Sequence, residues 1–269
     1  MDTSPGSSSD ARPTGGEALM KTPKVAQALV SPRYLAGPGD PAWVTAALHA
    51  GAGWSHGQDP LMPRVILTSP DHKSMLRLGP ALNEPWWHLS HRDGRTGAKW
   101  QASFDGATPV ELIAAVTDAL SHPGYNARAM AEPYRVLTRA GWDVASTSDF
   151  RSPDSRVRGE RHNYSGSTDW RVTASLYTDD PVWKARFSGA TPRVLVAAFL
   201  AALADPEPVR RSSEQTQGLS LHRVALQWQE QPAESVARVL PERIEQLAAR
   251  RASPPPAPPT PPSPRRRTR

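Results

Sequence analysis

The sequence predicts an α+β fold of two tandem antiparallel-sheet-plus-helix repeats, packed as a pseudo-twofold unit between disordered termini. Three observations carry this prediction. First, the stretch Trp100-Gln-Ala-Ser-Phe104-Asp-Gly106-Ala-Thr108-Pro109 returns as Trp183-Lys-Ala-Arg-Phe187-Ser-Gly189-Ala-Thr191-Pro192. Aligned on it, the copies match without a gap over about 53 residues at an offset of roughly 83, with about 16 identities. Second, the apolar period changes within each copy. Trp100, Ala102 and Phe104 alternate, as do Trp183, Ala185 and Phe187, which puts them on one face of a strand. Leu112, Val116, Ala119 and Leu120 then follow helical spacing, as do Leu195, Phe199, Ala202 and Leu203. Third, the apolar fraction is 38% and there are 29 prolines in 269 residues, concentrated with other polar residues toward the ends.

These features divide the chain into a polar tail (1–24), a first repeat (25–122), a second repeat (123–206), a helical extension (207–250) and a proline-rich basic tail (251–269), the last expected as extended polyproline II. In the first repeat, Ala28 to Leu35 reads as a strand ended by Gly37-Pro38-Gly39. Asp40 caps a short helix with Pro41 at its first position and Trp43, Ala47 and Leu48 on one face; Gly53-Trp54 leaves it. Arg64 to Thr68 is a strand, and Ser69-Pro70-Asp71-His72 is a type I turn in which the serine bonds to the backbone. Ser74 to Leu78 returns as a strand. Trp87, Leu89 and His91 alternate in the next, with a hairpin signal at Asp93-Gly94. The Trp100 strand closes this sheet. Gly106 and Gly189 offer a positive φ for the exit, Thr108 and Thr191 serve as N-caps before Pro109 and Pro192, and Glu111 completes a capping box.

The second repeat follows the same order, with a short helix from Pro133 to Ala140 and the turn Ser152-Pro153-Asp154. Trp170 and Trp183 match Trp87 and Trp100. Arg156 to Asn163 is polar and reads as an edge strand or loop. Beyond Ala204, Leu221, Val224, Ala225 and Trp228 are spaced for a helix. So are Val236, Leu240, Ile244 and Leu247, with a restart at Pro241.

The run Ser-Pro-Arg-Tyr-Leu-Ala-Gly at 31–37, the Ala-Gly-Trp pairs, the Ser-Pro-Asp turns and the Trp-x-Ala-x-Phe-x-Gly-Ala-Thr-Pro stretches together resemble the SPDY family. The resemblance covers about residues 28 to 204, with His72 and Ser155 standing where the family often has tyrosine. It implies a domain found, often in tandem, in filamentous actinobacteria; the family has no established activity, so no catalytic residue is carried over.

Chemistry is sparse. There is no cysteine, hence no disulfide framework or thiolate site. His88 and His91, three apart on a strand, point to opposite faces, which is poor geometry for one metal. Ser69, Asp71 and His72 adjoin in one turn, which is not how a hydrolase triad is assembled. No phosphate loop or dinucleotide fingerprint occurs. No catalytic residue, metal or cofactor is expected. No run spans a bilayer and no apolar leader is visible, so a cytoplasmic protein without membrane contact is expected.

The net charge of +6 is carried largely by Arg265, Arg266, Arg267 and Arg269; removing these four from 32 basic residues leaves 28 against 26 acidic. The outer strand face is mildly basic, with His88, Lys99, Gln101, Arg171, Lys184 and Arg186, while the tryptophans point inward. The preferred expectation is a non-enzymatic binding or regulatory module acting through protein contacts. The alternative is a single-stranded nucleic-acid binder that uses the outer face and the arginine tail.

Overall fold

The computed structural model describes residues 23–57, 64–80, 84–129, 131–146, 149–164, 167–177 and 180–252. The arginine tail and nearly all of the polar N-terminal tail lie outside these residues, and so do the expectations that fall on them. Strand β1 (Lys24–Ser31) leads through a 3-10 turn (Arg33–Leu35) to helix α1 (Ala42–Ala46), which a π-helical turn continues over Ala47–Gly51. Next come β2 (Ser55–Gly57), β3 (Val65–Thr68), β4 (Ser74–Leu78), β5 (Trp87–Arg92), β6 (Lys99–Phe104) and α2 (Val110–Ser121). The second half runs α3 (Arg135–Arg139), β7 (Asp143–Ser146), β8 (Asp149–Arg151), β9 (Val157–Tyr164), β10 (Ser167–Tyr177), β11 (Asp180–Ser188) and α4 (Arg193–Leu203). It is followed by β12 (Val209–Ser212), β13 (Ala225–Pro232) and α5 (Ala233–Ala252).

The class is α+β and every strand pairing is antiparallel. The Trp100 strand does not close a sheet of its own. β6 pairs with β11, so the strands of both copies join in one 10-stranded sheet of order β2-β3-β4-β5-β6-β11-β10-β9-β8-β7. At the seam Ala102 faces Phe187, Ser103 faces Arg186 and Phe104 faces Ala185. Thus the two signature strands are each other's partners, and their backbone groups are satisfied across the duplication.

One face of this sheet is the core. Trp87, Leu89, Trp100, Ala102, Phe104, Val172, Ala174, Trp183, Ala185 and Phe187 are all buried, as the alternation predicts. Helices α2 and α4 cover them. Phe199 of α4 lies 5.1 Å from Phe187 and 6.0 Å from Phe104, measured between ring centroids, so aromatic rings from both copies meet under the seam.

A second, three-stranded sheet of order β12-β1-β13 joins the N-terminal strand to the C-terminal segment. Helix α5 returns from it onto α1. Arg243 donates to both carboxylate oxygens of Asp118 (2.9 and 3.0 Å) and lies over the Trp43 ring at 4.7 Å.

Several expectations need correction. Arg156 to Asn163 is neither edge nor loop: β9 lies between β8 and β10. Its inward positions are Val157 and Gly159, and the missing side chain of Gly159 makes room for the Phe150 ring. Ala225 and Trp228 lie in strand β13, not a helix, because that segment pairs along the whole of β1. Helix α5 runs unbroken through Pro241. It is pinned on both sides of the proline, by the Arg238–Glu234 pair and by Arg243. The first strand ends at Ser31 and the 3-10 turn follows.

Gly106 and Gly189 do not take positive φ. Gly106 instead accommodates Trp86, whose Cδ2 would lie 2.5 Å from an added Cβ. Pro109 and Pro192 are themselves the N-cap residues, with no side-chain cap, and the Thr108 hydroxyl is buried without a partner. Glu111 turns away to Arg211.

Candidate functional site

With one face buried, the opposite face of the large sheet is the surface left open. Strand register fixes what it presents, because directly paired residues share a face. One row crosses the seam: Arg77 faces His88, His88 faces Ser103, Ser103 faces Arg186, Arg186 faces Arg171, and Arg171 faces Glu160. The next row runs through Thr68, Met75, Ser90 and Gln101, whose backbone N–H donates to the Ser188 hydroxyl at 3.0 Å. Beyond it Arg92 faces Lys99. On the other side Lys184 faces Thr173, Thr173 faces Arg158, and Arg158 faces Arg151.

All six residues expected on the outer face, His88, Lys99, Gln101, Arg171, Lys184 and Arg186, therefore share this surface, although they come from four strands. The sequence reading missed Arg77, Arg92, Arg151 and Arg158. The signal for the first two was present, since both fall at even spacing from, or opposite, His88. Arg158 was hidden by reading Arg156 to Asn163 as an edge strand or loop, and Arg151 by lying in β8, a strand that the sequence reading did not identify.

Basic side chains outnumber acidic ones on this face. Along the strand rows, Arg77, Arg92, Lys99, Arg151, Arg158, Arg171, Lys184 and Arg186 stand against Asp149, Glu160 and Asp169. The three acids of these rows lie on the second-repeat side, where Glu160 already pairs with Arg158 at 2.6 Å and with His162 at 3.0 Å. Burial, reinforced by the Arg77 charge, lowers the pKa of His88 and favours its neutral form. Burial raises the pKa of Asp105, whose carboxylate accepts the Lys184 N–H at 2.9 Å.

Two depressions mark the surface. A trough of about 980 Å³ follows the Met75–Ser90–Gln101 row, with Lys73, Arg92, Lys99 and Arg161 along it. A second depression, of about 750 Å³ and more polar, sets Arg171, Lys184 and Arg186 beside Glu84, Asp105 and Glu160, under Trp86.

The Ser-Pro-Asp turns are structural. Ser69 Oγ donates to Asp71 Oδ1 at 2.6 Å and accepts the Ser74 N–H; Ser152 repeats this with Asp154 and the Val157 N–H. The residues after them, His72 and Ser155, have φ of 57° and 60°. Burial and the adjacent Asp154 carboxylate raise the pKa of Tyr34, which bonds to that turn. His91 turns to the buried side, bonded to Ser74 Oγ at 2.9 Å and stacked on Trp100. Ser74 is only 3% exposed, so its hydroxyl is not presented to a substrate. Among the described residues no group of three or more His, Asp or Glu side chains is placed to hold a metal ion. No described helix is long and apolar enough to cross a membrane.

The family model that matches is SPDY, a domain of unknown function (DUF317), over residues 68–124 and again over 151–209. Each match runs from the Ser-Pro-Asp turn through the signature strand and its helix. No curated protein and no solved structure matches the chain.

Proposed function

From the premise that the chain carries two tandem SPDY domains, we propose that it is a non-enzymatic binding module that docks nucleic acid on the open face of its ten-stranded sheet. The carrying observation is the segregation of charge. Basic and acidic residues are close to balance over most of the chain, yet the strand rows of the open face set eight arginines and lysines against three carboxylates, and its two depressions add Lys73 and Arg161 on one side and Glu84 and Asp105 on the other. A body close to charge balance with one basic face has the electrostatic footprint of a polyanion binder. The strand order runs outward from β6 and β11 in matching fashion, so in this reading the copies act as one pseudo-twofold unit rather than as two beads.

The test is binding of the full chain to labelled nucleic acid over a salt series. Micromolar affinity is expected at low salt. With about four phosphate contacts it falls roughly 100-fold between 50 and 200 mM salt. Absence of binding at the lowest salt contradicts the reading. One observation favours a protein partner instead: the depression under Trp86 is bordered by three cations and three carboxylates together, as on a charge-complementary protein interface. A tight protein complex that survives high salt would favour that second reading.

A further inference from the structure

Resting on the nucleic-acid reading of the open face, we propose that the ligand is a duplex, straddled so that its two phosphate chains lie on two basic rows and its groove lies over the uncharged floor between them. The first row is Arg92 with Lys99, which face each other across β5 and β6. The second runs from Arg77 to Arg186 through His88 and Ser103. Arg92 and His88 are four residues apart on one strand, so the rows are separated by about 14 Å. That spacing, with long flexible cationic side chains on both sides, suits phosphates flanking a groove about 6 to 12 Å wide.

The floor decides between a duplex and a single strand. Ser90 and Gln101 face each other there, with Met75 beside them, and the open trough follows this row. These residues offer hydroxyl and amide groups to base edges and a thioether for apolar contact. They offer no ring on which an unpaired base could stack: Trp87 is buried on the other face, Trp100 and His91 border the trough but are stacked on each other toward the buried side, and the exposed Trp86 stands at the second depression. Single-strand binders depend on such stacking, at about 1–3 kcal/mol per base. A duplex needs only phosphates held apart and base edges turned inward.

The full chain is titrated at one salt concentration with a 20-base-pair DNA duplex, an RNA duplex of the same sequence, and the corresponding single strands. At least one duplex is expected to bind ten-fold or more tightly than either single strand, and the two duplex arms say which helical form fits. Charge reversal of the first row (R92E with K99E) and, separately, of the second (R77E with R186E) is expected to weaken duplex binding at least ten-fold each. The neutral variants R92Q with K99Q weaken it less, and unchanged melting temperatures confirm folding. Equal or tighter single-strand binding, or loss confined to one row, overturns the straddling while leaving nucleic-acid binding intact. Failure of all four ligands to bind overturns both.

Discussion

Arg211 donates two charge-assisted hydrogen bonds to Glu111, at 2.6 and 2.8 Å, joining β12 to the first turn of α2. The guanidinium is 3% exposed and also donates to the Ala36 and Gly37 carbonyls, at 3.0 and 3.1 Å. One side chain thus fastens the small sheet, the 3-10 turn and the first repeat's helix.

Removing it leaves a half-buried carboxylate and two carbonyls without their donor. R211M is expected to lower the unfolding free energy by about 3 kcal/mol, at the low end for a broken buried pair because Glu111 keeps some access to water. E111Q keeps an acceptor and costs less. Urea unfolding of the three proteins checks the order.

Two glycines should respond differently to a methyl group. A Cβ at Gly159 would overlap the Phe150 ring, which is 2% exposed and has nowhere to go. G159A is expected to cost at least about 1–3 kcal/mol through overpacking. At Gly106 the obstacle is Trp86, a ring 39% exposed that borders solvent rather than packed core. G106A is expected to cost less and to red-shift the tryptophan emission.

The histidines set an acid weakness. Burial lowers the folded pKa of both His88 and His91 below 6.5; Arg77 reinforces this at His88, while Asp71 and Asp93 partly oppose it at His91. The unfolded chain therefore takes up these protons first, and stability falls as pH drops through 6.5 toward the folded values. Asp93, held near a pKa of about 2 chiefly by the Arg95 N–H, with the Lys73 ammonium assisting, contributes a separate loss below pH 4. Melting temperatures at pH 7.5, 6 and 5 check the first window, and H91Q is expected to flatten it.

What the sequence makes legible is whatever is written locally. The period-two residues Trp100, Ala102 and Phe104 identify the core face, and the same alternation places Lys99, Gln101, Lys184 and Arg186 on the opposite one. What stays hidden depends on distant partners. Glu111 looks like half of a capping box until Arg211, 100 residues away, claims it. Trp228 and its neighbours suit a helix until β1 is there to pair with them. Polar β9 hides as an edge strand or loop because its core contribution includes a glycine under a neighbouring ring. The union of both copies into one sheet has no local signal, since β6 and β11 would read the same as edge strands.

The most direct test of the open face as the working surface holds net charge constant and changes only which side carries it. K184E with R186E alters the open face; R135E with R139E makes the same charge change on exposed positions of α3, on the helix side. Nucleic-acid affinity of the full chain is measured for both at one salt concentration. A loss of ten-fold or more for the first pair, with the second within about two-fold of the parent, is the expected result. Equal losses for the two pairs would mean that binding follows total charge and that the sheet face has no special part in it.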